Sequence, residues 1–390
     1  MFYKARPIHE IIPVIKELLK IQHRENEVAV PYLLGPPGIS KTANISQMCD
    51  DEDDWYGLIT HWALRAVETI SGLPEFSDVT VTNAKGKEFN KRGTTWTMPD
   101  ILTQAYKILE KRKPKVLVWL LDDMHRASPE HQSYGYEMFS ERTLEGHRIP
   151  NEVRFILAGN DSVKAGAKPI FSAIINRCAV FPVRLDFEQW KMNYAIPNQI
   201  NPKIIAFLTN PRNSMYFQEE EQIGIPWSSA RSWSKFSTLL DILEKTDRTS
   251  PAEIMYYAAT HLGETSAKEF GGHYSLFSKI DAAKLFTKNA KIKIPTDMSG
   301  QYIFLLAVVI EFFSRWEKEK SKRDEHLHTL ATIIIEVAKV ASEIGVTGLK
   351  EIVITERALK LKDLYRSVKR TMLDINPEIT KKLEADIRLI

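Results

Sequence analysis

Three short apolar runs stand out in the first half of the chain, at Val28–Leu34, Val116–Leu121 and Val153–Ala158. Each has the length of a strand, and the near-continuous hydrophobicity predicts parallel strands buried on both faces. Polar or turn-forming groups close every run: Gly35 follows the first, Asp122 and Asp123 the second, Gly159 and Asn160 the third. Residues 1–24 mix Lys, Arg, His and Glu with Ile, Leu and Val, which reads as an amphipathic helix leading into the first strand and not as a signal peptide. Between Gly72 and Trp96, polar and Gly residues flanked by β-branched pairs predict a hairpin or loop.

A boundary falls near Leu185–Trp190, after the apolar segment VFPV, and from there the pattern turns helical. Later helical patterns run at about 299–321, 324–345 and 356–372. Ile303–Ile310 is apolar throughout but stops at Glu311, short of the roughly 20 residues a membrane span needs, so a buried helix and no membrane are expected. Leu327, Leu330, Ile334, Val337 and Ala341 form a heptad-like seam, which packing within the chain or between subunits explains equally. The expected architecture is α/β: a parallel-sheet core over 1–186 with an insert at 72–96, a helical domain over 187–272 and a helical region over 273–390.

The turn after the first strand carries the most chemistry. It reads Gly35, Pro36, Pro37, Gly38, Ile39, Ser40, Lys41, Thr42, and Lys41 opens a new helical pattern. A strand that hands over to a helix through such a loop aims backbone N–H groups and the helix N-terminus at a polyphosphate. Lys41 supplies a point charge for the phosphates and Thr42 a hydroxyl for Mg²⁺. The pattern G-x-x-x-x-G-K-[ST] wants Gly where Ser40 stands, and Gly38 is expected to supply the flexibility instead. Asp122 is expected to hold Mg²⁺ and Asp123 to activate water, because paired carboxylates at the end of a buried strand do this in phosphoryl transfer. Asn160 brings a polar amide to the same rim, where ligands of open α/β sheets bind.

These pieces resemble the MoxR branch of the AAA+ ATPases, in particular its phage and prophage-type members. The resemblance covers about Pro7 to Gly272 and rests on GPPGISKT (35–42), ETISGLPEF (68–76), TTWTMPDIL (94–102), LLDDMHRASPEHQ (120–132), ERTLEGHRIP (141–150), ILAGN (156–160), AIINRCAVFPV (173–183) and SSARSW (228–233). It implies an oligomeric ring, commonly a hexamer, with ATP between neighbouring subunits. By this resemblance Lys41 and Thr42 are Walker A, Asp122 and Asp123 Walker B, and Asn160 sensor 1. Arg177 is the arginine finger that reaches a neighbour's γ-phosphate, Arg231 the sensor 2 arginine, and 187–272 the helical lid. Asp123 departs from the usual glutamate. Its arm is one methylene shorter, and misplacement by about an ångström can cost on the order of 100-fold, or about 2.7 kcal/mol of barrier. Slow hydrolysis follows, unless backbone placement compensates as in similar Asp-Asp ATPases.

Composition narrows the setting without choosing a substrate. With 390 residues, 44% hydrophobic and 26% charged, the chain has room for two or three ordinary globular domains. A formal net charge of +3 is too small to argue for nucleic acid from bulk electrostatics. Two cysteines, Cys49 and Cys178, leave no disulfide framework and fit a reducing, cytoplasmic compartment. Lys85, Lys87, Lys91 and Arg92 form a basic rim on the insert, which in MoxR-type proteins faces the pore. Arg357, Lys360, Lys362, Arg366, Lys369 and Arg370 suggest a basic helix that suits a nucleic acid, an acidic partner or plain solvent. His125 has no His or Cys partner at ligand spacing, which speaks against a metal site.

The resulting expectation is a Mg-ATP-dependent ring motor or chaperone that remodels a separate protein partner, such as one bearing a von Willebrand factor A domain. Two alternatives stay open, a nucleic-acid-stimulated motor and an ATP-gated assembly factor with little turnover.

Overall fold

The computed structural model describes residues 4–22, 29–82, 84–160, 170–220, 224–287 and 290–388. Val28, at the head of the first apolar run, and the side chain of Lys91 lie outside the description. The chain divides into two compact units, Met1–Asp186 and Phe187–Ile390.

In the first unit the chain runs β1 (Arg6–Pro7), α1 (Ile8–Ile21), β2 (Val30–Leu34), α2 (Lys41–Asp50), β3 (Trp55–His61), α3 (Val67–Ser71), β4 (Pro74–Thr82), β5 (Glu88–Trp96), α4 (Asp100–Arg112) and β6 (Val116–Asp122). It continues through α5 (Pro129–Glu141), β7 (Thr143–Leu144), β8 (His147–Arg148), β9 (Val153–Gly159), α6 (Ser172–Ile175) and β10 (Cys178–Arg184). Six strands form one parallel sheet in the order β1-β10-β2-β9-β6-β3. The three apolar runs are therefore its central strands. Their alternate side chains enter opposite cores: Leu117, Trp119 and Leu121 pack with Ile101, Leu102 and Met138, whereas Val116, Val118 and Leu120 pack with Ile8, Ile15, Ile45 and Met48. Helices cover both faces, which is why these strands show no polar alternation.

β3 escapes the apolar-run reading for a physical reason. It is an edge strand, and Tyr56 and Ile59 are each 36% exposed, so its pattern is mixed. The insert is a hairpin, with β4 and β5 paired antiparallel from Pro74 opposite Trp96 to Thr82 opposite Glu88. Phe76 and Trp96 on it face solvent.

The second unit is helical. It runs α7 (Phe187–Trp190), a π-helical turn (Lys191–Ala195), α8 (Pro202–Thr209), α9 (Ala230–Lys245), α10 (Pro251–Leu262), α11 (Glu264–Phe277) and α12 (Ala282–Leu285). α13 (Met298–Lys318), α14 (Arg323–Val340), α15 (Ser342–Ala358), α16 (Leu364–Ile375) and α17 (Pro377–Arg388) follow. The stretches 187–272 and 273–390 thus lie in one compact unit. An aromatic centre of Phe207, Trp233, Phe236 and Phe270 serves the first stretch, and an aliphatic cluster built on α13–α17 serves the second.

Leu327, Leu330, Ile334 and Val337 are buried in that aliphatic cluster, so the heptad-like seam packs within the chain. Ala341 ends the helix instead of extending the seam, because its backbone is extended (φ −145°, ψ 97°). The expected helix at 356–372 is also corrected. Lys360 and Asp363 adopt left-handed backbone (φ 53° and 59°) and separate α15 from α16, so the six basic residues do not share one helix. Among the described residues one helix, α13, is long and apolar enough to cross a membrane, and its Val308, Val309 and Phe312 are buried within the unit.

Candidate active site

The carboxyl ends of β2, β9 and β6 lie side by side, since Leu34 pairs with Gly159 and Leu121 with Leu157. This register brings the Gly35–Thr42 loop, Asn160 and the Asp122–Asp123 pair to one rim. Gly35 is required where β2 leaves the sheet: a Cβ there would stand 2.3 Å from the Val183 carbonyl oxygen. At Gly159 a Cβ would stand 2.4 Å from the Tyr32 hydroxyl, so the buried Tyr32 side chain would have to shift. Buried Ile39 pins the Pro36–Pro37–Gly38 loop to the core.

Ser40, which replaces the consensus glycine, takes the left-handed conformation itself (φ 62°, ψ 29°), and Gly38 is also at positive φ (81°). Gly38 thus takes the freedom expected of it, and Ser40 adopts left-handed geometry as well. Ser40 gives α2 no side-chain cap, so the first-turn N–H groups of α2 lack that acceptor and suit an anion.

The side chains converge. Lys41 Nζ donates to Asn160 Oδ1 at 2.9 Å and to the carbonyls of Gly35 and Pro36 at 2.7 and 2.9 Å. Thr42 Oγ1 donates to Asp122 Oδ2 at 2.6 Å. The other Asp122 oxygen accepts from the Asp123 N–H at 2.9 Å. Asp123 is half-buried with left-handed backbone (φ 59°, ψ 27°), a conformation Asp tolerates better than most residues. A hydroxyl and a carboxylate already in contact are a hard oxygen pair of the kind Mg²⁺ takes, and a lysine beside an uncapped helix start matches a polyphosphate. The residues therefore fit both groups.

Two histidines join this set that the sequence reading did not place there. His61 ends β3 directly opposite Asp122 in the register, with Nδ1 3.9 Å from Asp122 Oδ2. Its signal was its position at the end of a strand, obscured because the edge strand itself was not recognised. Buried His125 accepts the Asn160 backbone N–H on Nδ1 at 3.1 Å. Burial pushes its pKa below the usual imidazole range.

Arg177 lies elsewhere. Its carbonyl accepts from the Val30 N–H at the amino end of β2, and β2 rises roughly 13 Å before reaching the loop. The guanidinium stacks 4.4 Å over the Tyr136 ring, donates to the Tyr136 hydroxyl at 3.1 Å and to the Ala173 carbonyl at 3.0 Å. Arg231 is exposed in the first turn of α9, in the second unit, beside a capping box formed by Ser229 and Ser232. The first unit thus gathers Lys41, Thr42, Asp122, Asp123 and Asn160 and leaves Arg177 at the opposite edge of its own sheet.

Among solved structures the chain is similar to a candidate ATPase from Cytophaga hutchinsonii, at 12% identity over 94% of this chain and 84% of that one, with a TM-score of 0.26. It is also similar to NtrX from Brucella abortus, at 10% identity over 93% of this chain and 68% of that one, with a TM-score of 0.29. No protein-family model matches the chain, and no curated protein sequence matches it significantly. Likenesses this distant carry no functional weight; the chain's own geometry does.

Proposed function

We propose that this chain is a Mg-ATP-dependent AAA+ ATPase of MoxR type that works as an oligomeric ring and remodels a separate protein partner. The observation that carries the reading is the pair of contacts across three strand ends, Thr42 to Asp122 and Lys41 to Asn160. Residues far apart in sequence meet there in the combination that phosphoryl transfer needs. Thr42 and Asp122 would hold Mg²⁺, which supplies charge neutralisation on the phosphates when bound. The Gly35–Thr42 loop binds the phosphate chain through its N–H groups, and Lys41 leaves the loop carbonyls to meet it. Asp123 takes a proton from the attacking water, and the Asn160 amide orients that water.

Arg177 supports the ring. Placed at the far edge of the sheet, it can serve a γ-phosphate only on a neighbouring copy, where such a finger is worth several orders of magnitude in rate. Arg231 would couple the helical lid to the γ-phosphate. The two free cysteines, Cys49 buried and Cys178 half-buried, suit a reducing cytoplasm. A partner with a von Willebrand factor A domain would be a separate chain.

Phosphate release by the purified protein across a concentration series, with its mass measured with and without ATP, tests this. Turnover per subunit that rises as rings form supports the motor. One observation favours a second reading: the short Asp123 arm would make the site a nucleotide-gated scaffold, which predicts ATP-dependent rings that persist without phosphate release.

A further inference from the structure

His125 has no role in the reading above, yet it ties the loop after Asp122–Asp123 to the end of β9 by a hydrogen bond. It sits two residues after Asp123, on the short helical turn Met124–Arg126. The ring is 2% exposed, and Nδ1 accepts the N–H of Asn160. An accepting Nδ1 leaves the proton of the neutral ring on Nε2, and that atom is buried with no hydrogen-bond partner among the described residues. Leaving such a donor unsatisfied costs about 1–3 kcal/mol, which a leucine of similar volume would avoid. A buried polar group kept at that cost calls for an explanation.

The position of the accepted hydrogen bond supplies one. Asn160 is the first residue beyond β9, and its side-chain oxygen meets Lys41 while its backbone is held by His125. The next backbone anchor on that strand end is the Gly35 N–H on the Gly159 carbonyl, at 3.3 Å. We propose that His125 is a positioning residue for the ATPase reaction: its Nδ1 fixes the Asn160 backbone so that the Asn160 amide faces Lys41 and the phosphate site. The inference rests on the ATPase reading, and it assigns His125 a polar function that touches neither nucleotide nor metal.

Asn and Gln separate the two ring nitrogens. Asn places an amide oxygen near the site of Nδ1, Gln near the site of Nε2. Three variants of the full chain, His125→Asn, His125→Gln and His125→Leu, are compared for steady-state phosphate release, affinity for a fluorescent ATP analogue, and hydrogen exchange of the peptide that contains Asn160. His125→Leu is expected to speed exchange at Asn160 and to lower kcat at least roughly tenfold with ATP affinity held within about threefold, as a displacement near one ångström would. His125→Asn should restore slow exchange and most of kcat, and His125→Gln should not.

Unchanged exchange in His125→Leu, unchanged kcat despite faster exchange, or equal losses in the Asn and Leu variants would each overturn the assignment. If His125→Leu does not fold, the contrast between Asn and Gln decides by the same readouts. A wild-type chain that neither binds nor hydrolyses ATP overturns the ATPase reading instead, and the exchange comparison still decides whether His125 holds Asn160.

Discussion

Ser40 and Asp123 sit in left-handed backbone on adjoining loops of one site, and the two residues differ in how well they tolerate it. Left-handed geometry costs a non-glycine residue of the Ser40 kind roughly 1–2 kcal/mol, whereas Asp can compensate through local hydrogen bonding. Ser40→Gly should therefore raise stability by about 1 kcal/mol, read as a higher melting temperature by calorimetry, with nucleotide affinity preserved. An unchanged or lower melting temperature would show that the serine is not strained. Lys41→Ala should abolish binding of a fluorescent ATP analogue, because on the proposed reading the ammonium that bridges Asn160 and two loop carbonyls would be the charge that meets the phosphates. At this scale the sequence displayed each departure as a letter but not its conformation. The replaced glycine was visible at Ser40, while the dihedral it inherited depends on how Ile39 and Gly35 seat the loop against Val183.

Among the helices of the second unit, two buried polar features give testable contributions to stability. His273 on α11 lies against the rings of Phe207, Phe270 and Phe277, and burial lowers its pKa from 6.5 to about 4. A histidine whose folded pKa is depressed contributes stability that is present above the unfolded value and lost as pH falls toward the folded one. Urea melts should therefore show a loss of about 2 kcal/mol between pH 7 and pH 5 that His273→Phe abolishes. Lys191, fully buried in the π-helical turn, donates to Glu351 of α15 at 2.6 Å and to Glu188 at 2.9 Å. Lys191→Met leaves the Glu351 carboxylate buried without that partner and should cost about 3–5 kcal/mol, whereas adding Glu351→Leu should recover most of it. Chemical denaturation of the single and double variants separates the two outcomes. Neither feature was legible beforehand. Lys191 and Glu351 are 160 positions apart, and nothing in a linear pattern distinguishes them from solvated charges. The apolar spacing of α13 and α14, by contrast, was readable because burial demands a repeating stripe.

At the level of the whole molecule, the question is whether one site is built from two copies. Arg177 stands at the amino edge of the sheet, packed on Tyr136, and Asp123 at the carboxyl edge. If neighbours share the site, Arg177→Ala should spare ATP binding and remove turnover. Mixing Arg177→Ala subunits with Asp123→Asn subunits should then restore part of the phosphate release that each lacks alone. No recovery on mixing, with ring formation confirmed by mass, would place the finger elsewhere. By itself the sequence determined the three core strands and the groups that close them, the Gly35–Thr42 loop, Asp122 with Asp123, and Asn160, because strand burial and turn chemistry each impose local, contiguous patterns. Only the tertiary structure decided that Thr42 meets Asp122, that Lys41 meets Asn160, that His61 and His125 belong beside them, and that Arg177 does not. Those relations follow from strand order and register, which are set by how both faces of the sheet pack and leave no mark on any one segment.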